Sequence, residues 1–141
     1  MRRKSKNPCS ALRDKCVTLA KLIARKKANF TCAYCGAKEP QVRTHGSHIY
    51  AEGVHRSMSA DVDNILCICA VHHMAHSYWN NSSKWSWHGT PKEAIQWFDE
   101  TYPALSKKLK IRSRQQVQAD EFFWRKKYEE LKKMDAELGC A

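Results

Sequence analysis

The sequence predicts an α+β chain: a small Cys/His-rich unit of two short strands and a helix, preceded by a basic helix and followed by further helices. Three observations lead there. Four of the seven cysteines and six of the seven histidines lie between Cys32 and His76. Within that stretch two short segments have strand character, whereas the flanks carry apolar residues at helical spacing. Charge divides the same way: residues 1–43 hold 12 Lys/Arg against 2 acids, residues 44–105 hold 3 against 6, and residues 106–141 hold 10 against 6. Basic ends around a less basic middle are the footprint of flanks that grip a polyanion while the centre is kept for chemistry or a cation. At 141 residues and 43% hydrophobic content, one domain is expected, with a basic arm and helix over 1–29, a core over 30–80 and a helical extension over 81–141. No apolar run nears the roughly 20 residues that cross a bilayer, and MRRKSKNP lacks a secretory core, so a soluble, cytoplasmic protein is expected.

Residues 1–8 read as a flexible arm ending at Pro8. Ser10 is the expected cap of a helix over 10–27, in which Leu12, Cys16, Leu19 and Ile23 form an apolar stripe. Arg13, Lys21, Arg25, Lys26 and Lys27 cover its other faces and, with Arg43, are the candidate contacts to a polyanion. Cys16, on the stripe, is expected to be a buried thiol. Cys9 and Cys140 have no partner spacing.

Cys32-x-x-Cys35 lets two thiolates reach one tetrahedral ion from a tight turn, which Gly36 helps to close. Two continuations exist further on, Cys67-x-Cys69 and Cys69-x-x-His72. The latter repeats the two-residue gap and enters a helix, so Cys32, Cys35, Cys69 and His72 are the expected structural Zn2+ ligands, with Cys67 a small buried residue. Residues 41–50 read as a strand, with Gly46 a candidate bulge, His45 and Ser47 on one side and His48 on the other. Residues 51–63 read as loop, Ile65–Cys69 as a short strand or turn, and residues 70–78 as a helix presenting His72, His73 and His76.

Thr90-Pro91-Lys92-Glu93 predicts a capped helix to about Thr101, burying Ala94, Ile95, Phe98 and Trp97. Trp79, Trp85 and Trp87 read as core aromatics ahead of platforms on which nucleic-acid bases stack, the alternative use of such side chains. From Ser113 a last helix carries Val117, Trp124, Leu131 and Leu138 every seven residues, a stripe able either to pack on the domain or to form a homodimer.

If His72 serves the zinc, His45, His48, Asn64, His73 and His76 remain as a cluster too rich in polar chemistry for a structural role. The pattern Cys32-x-x-Cys35, Ser47-His48-Ile49, Asp63-Asn64-Ile65 and Cys69-x-x-His72-His73 resembles the HNH endonuclease motif on a ββα-metal finger, in its zinc-braced form. The intervals of 16 residues from His48 to Asn64 and 9 from Asn64 to His73 match that family over residues 30–80. The wider layout is similar to small phage nucleases of the NinG/Rap recombination type. The resemblance implies a metal-dependent endonuclease that hydrolyses DNA, duplex or branched. His48 would be the general base, Asn64 would orient it by hydrogen bonding, and His73 would ligate one divalent metal (Mg2+, Mn2+, Ni2+ or Zn2+). Ser47 stands where many members place an Asp or His ligand, so His45 or His76 is the expected substitute. Two other classes stand beside this one: a non-catalytic zinc module that binds nucleic acid, and a protein-interaction module using the last helix.

Overall fold

The computed structural model describes residues 7–74, 86–88 and 90–139. Among them are five α-helices and one two-stranded antiparallel sheet. Helix α1 runs Pro8–Lys27. It begins earlier than the sequence suggests, because Asn7 rather than Ser10 is the cap: its Oδ1 accepts from the Cys9 amide at 2.9 Å, and Pro8, having no amide hydrogen to satisfy, fits the first helical position. The chain then forms the Cys32–Cys35 turn and enters strand β1, Thr44–His48, which pairs with β2, Ile65–Cys69. The register sets Thr44 against Cys69, Gly46 against Cys67 and His48 against Ile65. It is regular through Gly46, so there is no bulge. Instead, a Cβ on Gly46 would meet Lys21 Cβ and Cγ at 2.8 Å, and glycine is what lets α1 lie directly on the strand. Residues 41–43 lie outside β1, which is shorter than the expected 41–50.

Helix α2, Ala70–Met74, follows β2 without a break. Its expected continuation to residue 78, together with His76, Trp79, Trp85 and Cys140, lies outside the described residues. Helix α3 is Pro91–Thr101, α4 is Pro103–Ser113 and α5 is Glu121–Gly139. The single helix expected from Ser113 is therefore a linker and then α5: Asp120 accepts from the Phe123 amide at 2.9 Å and starts the helix there, leaving Val117 outside it and 45% exposed. Helix α4 repeats the Pro91 device, with Pro103 in its first turn. In α3, Ala94 and Phe98 are buried as expected and Trp97 partly so, but Ile95 is 51% exposed. Thr90 does not cap α3. Its hydroxyl donates to the Ser86 carbonyl and accepts from the Ser86 amide, both at 2.9 Å, and the expected box with Glu93 does not form.

Three apolar clusters hold these elements. Cys16, Val17, Ala20 and Ile23 of α1 pack on Trp124 and Leu131 of α5, with Ile65 of β2. Thus the heptad stripe is used within the chain. Cys16 is fully buried, its Sγ 3.4 Å from the Trp124 carbonyl, and burial raises its pKa to about 11. Trp87, Phe98, Leu109 and Met58 form a second cluster. Cys32, Ile68 and Cys69 form a third beneath the metal-ligand turn. Among the described residues no helix is long and apolar enough to cross a membrane.

Candidate metal centre and active site

The turn after α1 is the first half of a candidate metal centre. The Cys32 amide donates to the Ala37 carbonyl at 2.8 Å and the Gly36 amide to the Cys32 carbonyl at 2.9 Å, with Gly36 in the left-handed region at φ 74°. Ala33 donates to the Cys67 carbonyl at 2.8 Å, which ties the turn to β2. The second half comes from the junction of β2 with α2, which brings Cys69 and His72 to the same point. The ligand atoms of Cys32, Cys35, Cys69 and His72 all lie within 4.8 Å of one another. On a tetrahedral ion with zinc–sulfur bonds of about 2.3 Å, two thiolates sit about 3.8 Å apart. Cys35 Sγ and Cys69 Sγ are separated by 3.8 Å, and His72 Nδ1 lies 3.2 Å from Cys69 Sγ. The set therefore fits structural zinc. Burial pushes the Cys32 thiol up, but amides of Cys35, Cys69 and Tyr34 outweigh it and bring its pKa below the ordinary value, whereas burial raises that of Cys69 to about 12. Cys67 is buried on the same strand, outside the set, its pKa raised by burial.

The second group of histidines surrounds His73. Its Nδ1 lies 2.8 Å from His45 Nδ1 and its Nε2 lies 3.0 Å from His88 Nε2. His73 and His88 share the wall of a cavity of about 450 Å³ with His48, Glu52 and Lys21. An adjoining cavity of about 500 Å³, which His73 also lines, is walled by His45, Lys21, Arg25 and Arg43. Burial, then the neighbouring His88 and His45, lower the His73 pKa to about 4. Burial and Arg43 also lower that of His45. Both rings are thus neutral near pH 7, the form that ligates a cation. A separate cavity of about 610 Å³, between residues 53–58 and 112–118, holds none of these groups.

His48 is held in one tautomer. Its Nε2 lies 2.7 Å from the Ser59 carbonyl, which can only accept, so Nε2 carries the hydrogen and the neutral ring keeps its lone pair on Nδ1. Glu52 Oε2 is 3.7 Å from that Nδ1. Asn64 is 0% exposed and does not hydrogen-bond to His48, contrary to the sequence expectation. Its Oδ1 accepts from the Tyr50 amide at 2.8 Å, and its Nδ2 donates to the carbonyls of Tyr50 at 3.1 Å and Met58 at 3.0 Å. It pins both ends of the 50–58 loop, and with it the Ser59 carbonyl that orients His48. No protein-family model, curated protein or solved structure matches the chain.

Of the other expected site residues, Ser47 is 1% exposed, lines neither histidine cavity, and its Oγ has no hydrogen-bond partner among the described residues. Arg25 is committed to Glu39 at 2.8 Å and to Thr44 Oγ1 at 3.2 Å. Lys26 is committed to Asp135 at 2.7 Å. Arg13 lies 3.4 Å from Asp14. Lys27 and Arg43 are exposed. Sequence reasoning missed His88. It lies 15 residues after His73 with no motif spacing, and its only signal was a seventh histidine beside Trp87. The Trp87 amide donates to the His72 carbonyl at 2.6 Å and the His88 amide to the His73 carbonyl at 3.3 Å. The Trp87 indole donates to the His48 carbonyl at 2.9 Å. These bonds carry His88 onto the end of α2.

Proposed function

We propose that the chain is a metal-dependent endonuclease of HNH type that hydrolyses DNA phosphodiester bonds. The observation that carries the reading is the fixed tautomer of His48, which lines the same cavity as His73. A general base needs a free lone pair and a held orientation, and the Ser59 carbonyl, by accepting the Nε2 hydrogen, provides both. His48 Nδ1 takes a proton from the attacking water, while Asn64 keeps the loop that aims the ring. A divalent cation at His73, when bound, supplies charge stabilisation to the phosphate and the leaving 3′ oxygen. Lys21 and Arg43, in the walls of the two cavities that His73 lines, contact the flanking phosphates. Arg25 and Lys26, already paired, contribute mainly to holding α1.

The closed Cys3His centre has no open position for substrate and serves to fix β2 and α2, and so His73. A non-catalytic zinc module that binds nucleic acid is favoured by one observation, the burial of Ser47 at the position of a common metal ligand. The two readings separate on supercoiled plasmid incubated with Mg2+, Mn2+, Ni2+, Co2+ or Zn2+. The nuclease reading expects nicked or linear product with at least one metal, and none from His48→Ala of equal zinc content. DNA binding without cleavage of plasmid or branched DNA under every metal supports the module instead.

A further inference from the structure

We propose that His73 and His88 together hold the divalent cation through their Nε2 atoms, and that His45 is the residue that positions His73 from behind. The assignment rests on the reading of this cavity as a metal-dependent site, and it names the ligands of that site.

An imidazole gives one ion one nitrogen. His73 has a histidine partner on each of its two nitrogens, His45 at Nδ1 and His88 at Nε2, so only one of these pairs can be a ligand pair for a given cation. The cavities decide which. His88 lines the cavity that contains His48 and Glu52, whereas His45 lines an adjoining cavity, which shares Lys21, Gly46 and His73 with the first but contains neither His48 nor Glu52. A cation that acts on the same phosphate as His48 belongs on the His88 side. With metal–nitrogen bonds of about 2.1 Å, ligands at right angles are about 3.0 Å apart, and the two Nε2 atoms are separated by 3.0 Å.

The remaining His73 Nδ1 then carries its hydrogen toward His45 Nδ1 at 2.8 Å. Ligating histidines keep their second N–H on such an acceptor, which fixes the ring and raises its basicity. His88 is itself held before any cation arrives. The Trp87 and His88 amides are tied to the end of α2, and the Trp87 indole is tied to β1. His88 thus supplies the donor that buried Ser47 does not, and two histidines leave open positions for water and a phosphate oxygen.

The test is calorimetric titration of Ni2+ into the full chain already holding one zinc. Wild type is expected to take one further Ni2+. His88→Ala and His88→Gln lose more than about 100-fold in affinity, beyond what loss of an outer partner costs. His45→Leu weakens binding by about 10- to 100-fold, while His45→Asn, whose amide oxygen can accept from His73 Nδ1, stays within about threefold of wild type. Circular dichroism and zinc content confirm that each variant is folded. Wild-type affinity in both His88 variants overturns the assignment. So does loss of Ni2+ in His45→Asn as complete as in His73→Ala, which would make His45 the ligand. Ni2+ held on His73 and His88 without any DNA cleavage supports the assignment and removes the nuclease reading.

Discussion

At the scale of single residues, two side chains carry much of the local organisation. Asn64 satisfies three backbone groups with one fully buried amide. Asn64→Ala removes the partner of the Tyr50 amide and carbonyl, while the Met58 carbonyl keeps the Asp61 amide at 3.2 Å, and is expected to cost about 1–3 kcal/mol for each buried group left unsatisfied, read as a lower midpoint in urea denaturation with zinc retained. Cleavage is expected to fall further than the stability loss explains, because the Ser59 carbonyl moves away from His48. Glu39 is the second such residue. It accepts from the Thr44 amide at 3.0 Å, the Thr44 hydroxyl at 2.8 Å and Arg25 at 2.8 Å, joining α1, the metal-ligand turn and β1. The Thr44 amide, the Thr44 hydroxyl and Arg25 lower its pKa to about 2 from an ordinary 4.5. A carboxyl whose folded pKa is depressed adds stability above its unfolded pKa and loses it as pH falls through the folded one. Glu39 therefore stabilises the fold fully above about pH 4.5, and this contribution fades between there and about pH 2. Thermal melts of Glu39→Gln against wild type should differ near pH 6 and converge toward pH 2; a constant difference would show that the charge is not involved. The four residues placed to hold a zinc were legible in the sequence because a two-residue gap is local chemistry. His88 was not, because what places it is a set of backbone bonds to α2 that no spacing records.

At the scale of elements, the sheet and α1 depend on one close approach. Gly46→Ala puts a methyl group 2.8 Å from Lys21 Cβ and Cγ and 3.0 Å from Ile65 Cγ2. The Lys21 atoms are at the base of their side chain and cannot swing aside, so α1 must lift from β1, at an expected cost of about 1–3 kcal/mol. A thermal midpoint unchanged from wild type would contradict this packing. Helical periodicity revealed α1, α3 and the buried face of α5, since each hides a stripe. It did not reveal α4, whose buried apolar side chain is Leu109. It also ran the last helix too far back: Val117 is in phase with Trp124 and Leu131, but the chain between α4 and α5 is not helical. Thr90 shows the same limit, since a capping signature is overruled when the hydroxyl finds a better partner in Ser86.

At the scale of the whole molecule, the two ends of the chain meet. Trp124 is 1% exposed and lies against α1, so Trp124→Ala is expected to cost about 3–5 kcal/mol and to loosen α1 from the sheet. The Cys3His centre ties the remaining loop-rich part. Chelation, or Cys32→Ser, should unfold the region around β2 and α2, seen as lost dispersion in amide spectra, while His48→Ala should leave the fold and zinc content intact. Net charge of +11 predicts DNA affinity that falls steeply between 50 and 200 mM salt, by orders of magnitude if about six or more phosphates are contacted. The most direct test of the central claim, that His48 is the base of a nuclease site, is single-turnover cleavage of DNA by wild type and His48→Ala with and without added imidazole. If His48 is the base, the variant loses about 100-fold or more in rate, partly restored by imidazole entering the cavity that the lost ring leaves. Cleavage by His48→Ala at the wild-type rate would contradict that role.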